Sequence, residues 1–370
     1  MPFSFASSIA SYKPVPSPGL GALMRSVLCD IINNDKRFQV TARATNGLQA
    51  LDLLSRNTYD AVVLDVNMPR MNGLELLKEL RKYKIPAKVM MASTDTREGA
   101  KTTLDALELG ALDFIHKPDN AMDCRVEQFR DDLLRILEVV CDSKPPVFES
   151  ESKELKDKNI TAKVVDIVKK HSANTTGNKI VAIASSTGGP KALQAVIPKL
   201  PGDLDAPVVL VQHMPKGFTA SLAERLNGLS EVEVKEASEG DVLKKGVVYV
   251  AMGGMHMNVV TSQTGIATIH YTDEPSREGV KPCANYMYES LADSRYDQIV
   301  CAVMTGMGAD GMEGIRNLKA KKKVHVIAQN QDSCVVYGMP KSIVNAGLAD
   351  QTVPLEQIAQ EIILQVGVTP

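Results

Sequence analysis

From residue 180 onward, short runs of branched apolar residues alternate with amphipathic stretches, which confines this part of the chain to a largely parallel, doubly wound α/β sheet. The strand-like runs are Ile180–Ala184, Val208–Gln212, Val247–Ala251, Ile299–Met304 and Val324–Gln329. Helical stretches fall between them near Pro190–Leu200, Ala220–Leu226, Ala284–Leu291 and Asp310–Lys319. In such sheets chemistry gathers at the C-terminal ends of the strands, so the residues just after each run are the ones able to form a site.

Residues Gly21 to Val140 alternate in the same way, whereas Lys144-Pro145-Pro146 and Glu149-Ser150-Glu151-Ser152-Lys153 offer few large apolar groups. The division expected is a first domain over 1–140, a linker over 141–178 and a second domain over 179–370. Within the linker, Ile160–Lys170 carries a partial helical face and reads as a short solvated helix. The 42 Lys and Arg nearly balance the 44 Asp and Glu, so no global positive field gathers nucleic acid or an anionic membrane. The six cysteines stand far apart, without metal-type spacing or the density of a disulfide scaffold. The apolar runs are too short to span a bilayer and no leader is evident, so a cytoplasmic protein is expected.

Three strand-like runs end in chemically complementary groups. Ile180–Ala184 leads into Ser185-Ser186-Thr187-Gly188-Gly189-Pro190, a small-residue turn where a hydroxyl can project and Pro190 suits the first helical position. Val208–Gln212 leads into His213-Met214-Pro215, placing an imidazole where a base for that hydroxyl must stand. Ile299–Met304 leads into Thr305-Gly306-Met307-Gly308-Ala309-Asp310-Gly311, a carboxylate in a glycine-rich turn. Each group alone has a structural explanation, as a helix cap or an ordinary strand-end residue. Together they read as a Ser-His-Asp triad. Their order in the chain, Ser then His then Asp, differs from that of the lipase-like hydrolases and of both protease types. His116, His171, His270 and His325 show no ligand spacing, so no catalytic metal or other cofactor is expected. His256, in a glycine-rich loop, reads as an ordinary loop histidine ahead of the alternative that it borders a substrate groove, and the methionines of Met252–Met257 read as packing.

These motifs, with Gln212 through Phe218 and Ala328-Gln329-Asn330 through Cys334-Val335-Val336-Tyr337-Gly338-Met339-Pro340, resemble the chemotaxis protein-glutamate methylesterases. The resemblance implies Ser186 as nucleophile, His213 as general base and Asp310 as its orienting carboxylate. It also places Thr187, Gly188, Gly189 and Met307 in the substrate and oxyanion vicinity. The implied substrates are glutamate γ-methyl esters, and also glutamines, on methyl-accepting chemotaxis receptors. Where the family has Gly-Ala before the serine, this chain has Ala184-Ser185, which leaves Ser185 as a rival nucleophile. The competing readings are a non-catalytic two-domain signalling module and a serine esterase for small-molecule esters.

In the first half, Tyr59 through Gly73 reads as a buried strand ending at Asp65 and followed by a turn. It resembles the phosphorylation segment of a response-regulator receiver, which implies a flavodoxin-like fold with Asp65 as acceptor. Ser93 and Phe114 then match the family's hydroxyl and aromatic switches, and Lys117 its phosphate-binding lysine. The implied partner is a chemotaxis histidine kinase, whose phosphorylation of the receiver uncovers the esterase site. One part departs from the pattern. Receivers begin with a strand ending in two acids that hold Mg²⁺, a hard cation needing oxygen ligands. Alignment puts Gly19 and Leu20 at those positions, after the proline-rich Lys13–Pro18. The first strand and its acidic pair are therefore expected to be degenerate, with Asp30 too distant to substitute and Mg²⁺ binding disfavoured.

Overall fold

The computed structural model describes residues 3–8, 20–93, 97–118, 127–146 and 177–369. Contacts divide the chain into two compact units, Met1–Glu149 and Ser150–Pro370. The helical face expected over 160–170, His171 and most of the 141–178 segment lie outside the described residues.

The first unit contains β1 (Phe3–Ser8), α1 (Leu20–Asn34), β2 (Phe38–Ala44), α2 (Gly47–Arg56), β3 (Ala61–Asp65), α3 (Gly73–Lys82), β4 (Val89–Ser93), α4 (Arg97–Leu109), β5 (Asp113–His116) and α5 (Glu127–Asp142). Its five strands are parallel, in the order β2-β1-β3-β4-β5. The fold is the flavodoxin-like one, with a correction to the expectation for its beginning. The first strand is present and central, paired through Phe3↔Phe38 on one side and Phe5↔Ala61 on the other. It comes from Phe3–Ser8, a proline-free segment with two aromatic residues, rather than from Lys13–Pro18. Residues 9–19 separate it from α1, so an alignment anchored just ahead of that helix looks too late in the chain. The acidic pair is missing all the same, because the first Asp or Glu in the sequence is Asp30, within α1.

Every residue of β3 is buried, as a strand covered on both faces requires, and Asp65 is its last residue. The chain then turns into α3 through a reciprocal cap. Asn72 Oδ1 accepts from the Glu75 N–H at 2.9 Å, and Glu75 Oε2 accepts from the Asn72 N–H at 2.8 Å.

The second unit contains β6 (Lys179–Ser185), α6 (Gly189–Val196), β7 (Val208–Gln212), α7 (Phe218–Leu229), β8 (Glu233–Glu236), β9 (Val247–Val250), β10 (His256–Thr261), β11 (Ala267–Thr272), α8 (Ala284–Ser290), β12 (Gln298–Val303), α9 (Met312–Lys319), β13 (Val324–Gln329), α10 (Met339–Asn345), β14 (Gln351–Val353) and α11 (Leu355–Val366). Seven strands form one parallel sheet in the order β14-β13-β12-β6-β7-β9-β8. The expected doubly wound sheet is thus observed. The antiparallel β10-β11 pair stands apart from it. Successive strands run one way from β6 through β7, while β12 to β14 lie on its other side, so the winding reverses beside β6. That reversal opens a crevice at the C-terminal ends of the central strands.

β6 and β7 are buried at every position. At the start of β6 the buried Lys179 ammonium donates to the Val366 carbonyl at 2.5 Å, tying the end of α11 to the sheet.

Replacing Asn72 by Ala breaks the α3 cap and should cost about 1 kcal/mol of stability. Urea titration of the full chain measures it, and an unchanged midpoint would contradict the cap's role.

Candidate active site

Strand register brings the site together. Ser185 pairs with Gln212 across β6 and β7, and Ala184 with Val303 across β6 and β12. The ladder continues past the strand ends, where the His213 N–H donates to Ser185 O at 3.1 Å and the Ser186 N–H to Thr305 O at 3.0 Å. Ser186, His213 and Thr305 therefore leave three adjacent strands at one edge. The turn after Ser186 passes through Gly188 at φ +76°, a left-handed conformation that suits glycine, before α6 begins at Gly189. Gly306 allows a close approach, since a Cβ there would lie 2.7 Å from Ser186 Cβ and 2.5 Å from Met339 Sδ.

Asp310 follows β12 in the chain, and its carboxylate accepts the imidazole of His213, with Nε2 to Oδ2 at 2.7 Å. Three more donors come from one tripeptide at the start of α8. The Ala284 N–H reaches Oδ2 at 2.6 Å, the Asn285 N–H reaches Oδ1 at 2.9 Å, and Cys283 Sγ reaches Oδ1 at 3.0 Å. Burial opposes ionisation of Asp310, but the bonds from His213, Cys283 and Ala284 outweigh it and hold the carboxyl below the usual carboxylate range. Asn285 also binds the next helix, its Oδ1 accepting from the N–H groups of Gly311 at 3.1 Å and Gly314 at 2.7 Å.

The two candidate serines differ in environment. Ser185 is fully buried, and its hydroxyl donates to Gln212 Oε1 at 2.7 Å. Gln212 Nε2 in turn donates to the carbonyls of Ser186 and His213, at 3.0 and 3.1 Å. Ser186 keeps 8% exposure, and its hydroxyl has no hydrogen-bond partner among the described residues. A nucleophile is often out of register with its base until substrate binds. Because Nε2 faces Asp310, the nitrogen left to serve Ser186 is Nδ1.

The Thr187 carbonyl accepts from Thr305 Oγ1 at 3.0 Å, and Met307 lies half-buried on the loop after β12. His256, expected in a loop, is instead the fully buried first residue of β10, its Nδ1 accepting from the Cys283 N–H at 3.2 Å. Met257 packs in the core. The sequence assigns no site role to Cys283 or Asn285, and marks Gln212 only as the first residue of the histidine motif. Cys283 and Asn285 precede Asp310 by an entire strand, and no local pattern marks them.

In the first unit, Asp65, Ser93 and Lys117 line one cleft of about 350 Å³, together with Glu98. Lys117 Nζ meets Asp65 Oδ1 at 2.7 Å, and both side chains are nearly buried. Ser93 Oγ accepts from Thr103 Oγ1 at 2.7 Å, and Phe114 is buried on β5. A receiver's Mg²⁺ needs several oxygen ligands beside the acceptor. Here Glu98 is the only other carboxylate lining the cleft among the described residues, and no acid stands between β1 and α1, so this donor set does not fit such an ion.

A phosphoacceptor-type cleft in one unit and a serine beside a His–Asp pair in the other define a response regulator with a hydrolase output domain. Residues 21–126 match the family model of the response regulator receiver domain, and residues 181–362 that of the CheB methylesterase. A protein-glutamate methylesterase/protein-glutamine glutaminase of Bacillus subtilis (strain 168) is 40% identical over 346 residues, spanning 92% of this chain and 95% of that protein. One of the same name from Pyrococcus horikoshii is 40% identical over 347 residues, spanning 94% of this chain and 92% of its own. The crystal structure of the Thermotoga maritima CheB methylesterase catalytic domain, 40% identical, covers 52% of this chain and 100% of that one at a TM-score of 0.50. The chain belongs to the CheB methylesterase family, as its motifs suggested.

Asn285→Ala would strip the buried Gly311 and Gly314 N–H groups of their acceptor and should destabilise the fold by about 2 kcal/mol. Thermal or urea unfolding reads this directly, and wild-type stability would show that the bonds are dispensable.

Proposed function

We infer that this chain hydrolyses glutamate γ-methyl esters on methyl-accepting chemotaxis receptors, releasing methanol, and converts receptor glutamines to glutamates by the same route. The observation that carries this reading is the His213–Asp310 bond at the strand edge that also presents Ser186, in a chain 40% identical to relatives bearing that name over most of its length. No helix among the described residues is long and apolar enough to cross a membrane. We place the protein in the cytoplasm, where it would meet the cytoplasmic parts of its receptors.

Asp310 accepts from His213 Nε2, so the neutral imidazole carries its proton there and offers the Nδ1 lone pair. Ser186 Oγ attacks the ester carbonyl as its proton passes to Nδ1. Backbone N–H groups at this strand edge stabilise the developing oxyanion, that of Gly189 excepted because it is given to the Ser186 carbonyl at 2.7 Å. Nδ1 returns the proton to the leaving methoxide, and methanol departs from the acyl-enzyme. Water then gives a proton to Nδ1, its oxygen attacks the acyl carbon, and Ser186 leaves as a hydroxyl with a glutamate carboxylate as product. An amide substrate follows the same path with ammonia as the leaving group.

The receiver would take its input from the chemotaxis histidine kinase. Without the acidic pair after β1, phosphoryl transfer to this receiver is slow or absent.

Methanol release from methylated receptor fragments should fall by at least about 1,000-fold in Ser186→Ala, and by less than about ten-fold in Ser185→Ala. The reverse pattern would move the nucleophile to Ser185. Incubation with acetyl phosphate and Mg²⁺ should leave Asp65 unlabelled by mass spectrometry, and stoichiometric labelling would overturn the receiver proposal.

A further inference from the structure

Asp310 is held by more than its histidine. A carboxylate on a single bond can swing about its Cβ–Cγ axis, and a base oriented by a swinging group spends less time aligned with its nucleophile. Here each oxygen carries two donors: His213 and the Ala284 N–H on Oδ2, the Asn285 N–H and the Cys283 thiol on Oδ1. Among the described residues Cys283 is the only side-chain donor on Oδ1, and it is fully buried, so water does not compete for that bond. Its own backbone is fixed from the opposite side, where the N–H donates to His256 Nδ1 at 3.2 Å, and His256 packs on Tyr286 with ring centroids 4.5 Å apart. Burial and then the neighbouring Asp310 charge push the thiol far above its ordinary range, so it remains S–H and donates.

We propose that Cys283 is a positioning residue of the esterase site: its thiol proton on Asp310 Oδ1 fixes the carboxylate in the orientation from which Oδ2 aligns His213. The proposal rests on the methylesterase reading above. Cys283 touches neither substrate nor the reacting atoms, so its effect belongs to the chemical step and not to substrate binding. A serine at this position keeps an O–H donor, whereas alanine removes the donor and leaves Oδ1 with a single partner.

The test is methanol release from methylated receptor fragments by the full chain, comparing wild type, Ser186→Ala, Cys283→Ala and Cys283→Ser. Cys283→Ala should lower kcat about ten-fold, the loss of one hydrogen bond to a charged group, with KM changed by less than about two-fold. Cys283→Ser should recover most of the wild-type kcat, which lost packing volume alone does not predict. The proposal is overturned if Cys283→Ala matches wild type, or if Cys283→Ser is as impaired as Cys283→Ala, while Ser186→Ala is inactive. An active Ser186→Ala would instead remove the triad, and the proposal with it. Should Cys283→Ala fail to fold, Cys283→Ser decides: wild-type-like kcat supports the role, and a ten-fold fall refutes it.

Discussion

The second unit is organised around one negative charge kept inside the protein. Asp310 is only 2% exposed, and an ionised carboxylate so placed is costly unless its lone pairs are satisfied. Four donors satisfy them, two to each oxygen. Those donors dictate much of the local architecture. The first residues of α8 must lie against the turn before α9, and Asn285 secures that contact by accepting from both Gly311 and Gly314. His213 can reach the carboxylate only because β7 and β12 flank β6 with their C-terminal ends at one edge.

The sheet sets the remaining distances. Parallel strands in register carry Ser186, His213 and Thr305 out side by side, and Gly306 lets the loop after β12 pass within van der Waals reach of the serine. Beneath this edge, Gln212 holds the backbone of Ser186 and His213 with its amide nitrogen and the hydroxyl of Ser185 with its amide oxygen. The same glutamine that braces the two reactive positions thus engages the adjacent serine, and this separates the roles of two neighbouring hydroxyls with identical chemistry.

The first unit also ends a buried strand in an aspartate, with a different outcome. Asp65 meets the Lys117 ammonium where Asp310 meets an imidazole, and the acidic pair after β1 that would bring a cation to it is missing from the sequence. The carboxylate is neutralised within the protein. The fold around it is otherwise complete, because Phe3–Ser8 supplies the interior strand between β2 and β3 for which the proline-rich Lys13–Pro18 is unsuited. Fold and metal chemistry separate here: backbone pairing needs only a strand, whereas cation binding needs particular oxygens.

Much of this protein was legible in order and spacing. Val208–Gln212 and Val324–Gln329 span the runs the sequence marks, being mostly apolar because most of their positions are buried, though β13 opens with the half-buried Val324 and His325. The glycine turns and the Ser, His and Asp after three such strands likewise follow from local pattern. Local pattern said nothing of β10 and β11, whose mixed polarity reflects a pair packed on one side. Neither could it show that Cys283 and Asn285 hold Asp310 across 27 and 25 residues of chain, or that Ser185 faces Gln212 and not solvent. By itself the sequence determined which elements form and which chemical groups end them, because periodicity and turn chemistry act between near neighbours. Only the tertiary structure decided which of those groups meet, because hydrogen bonds and burial depend on distances that the folded sheet alone sets.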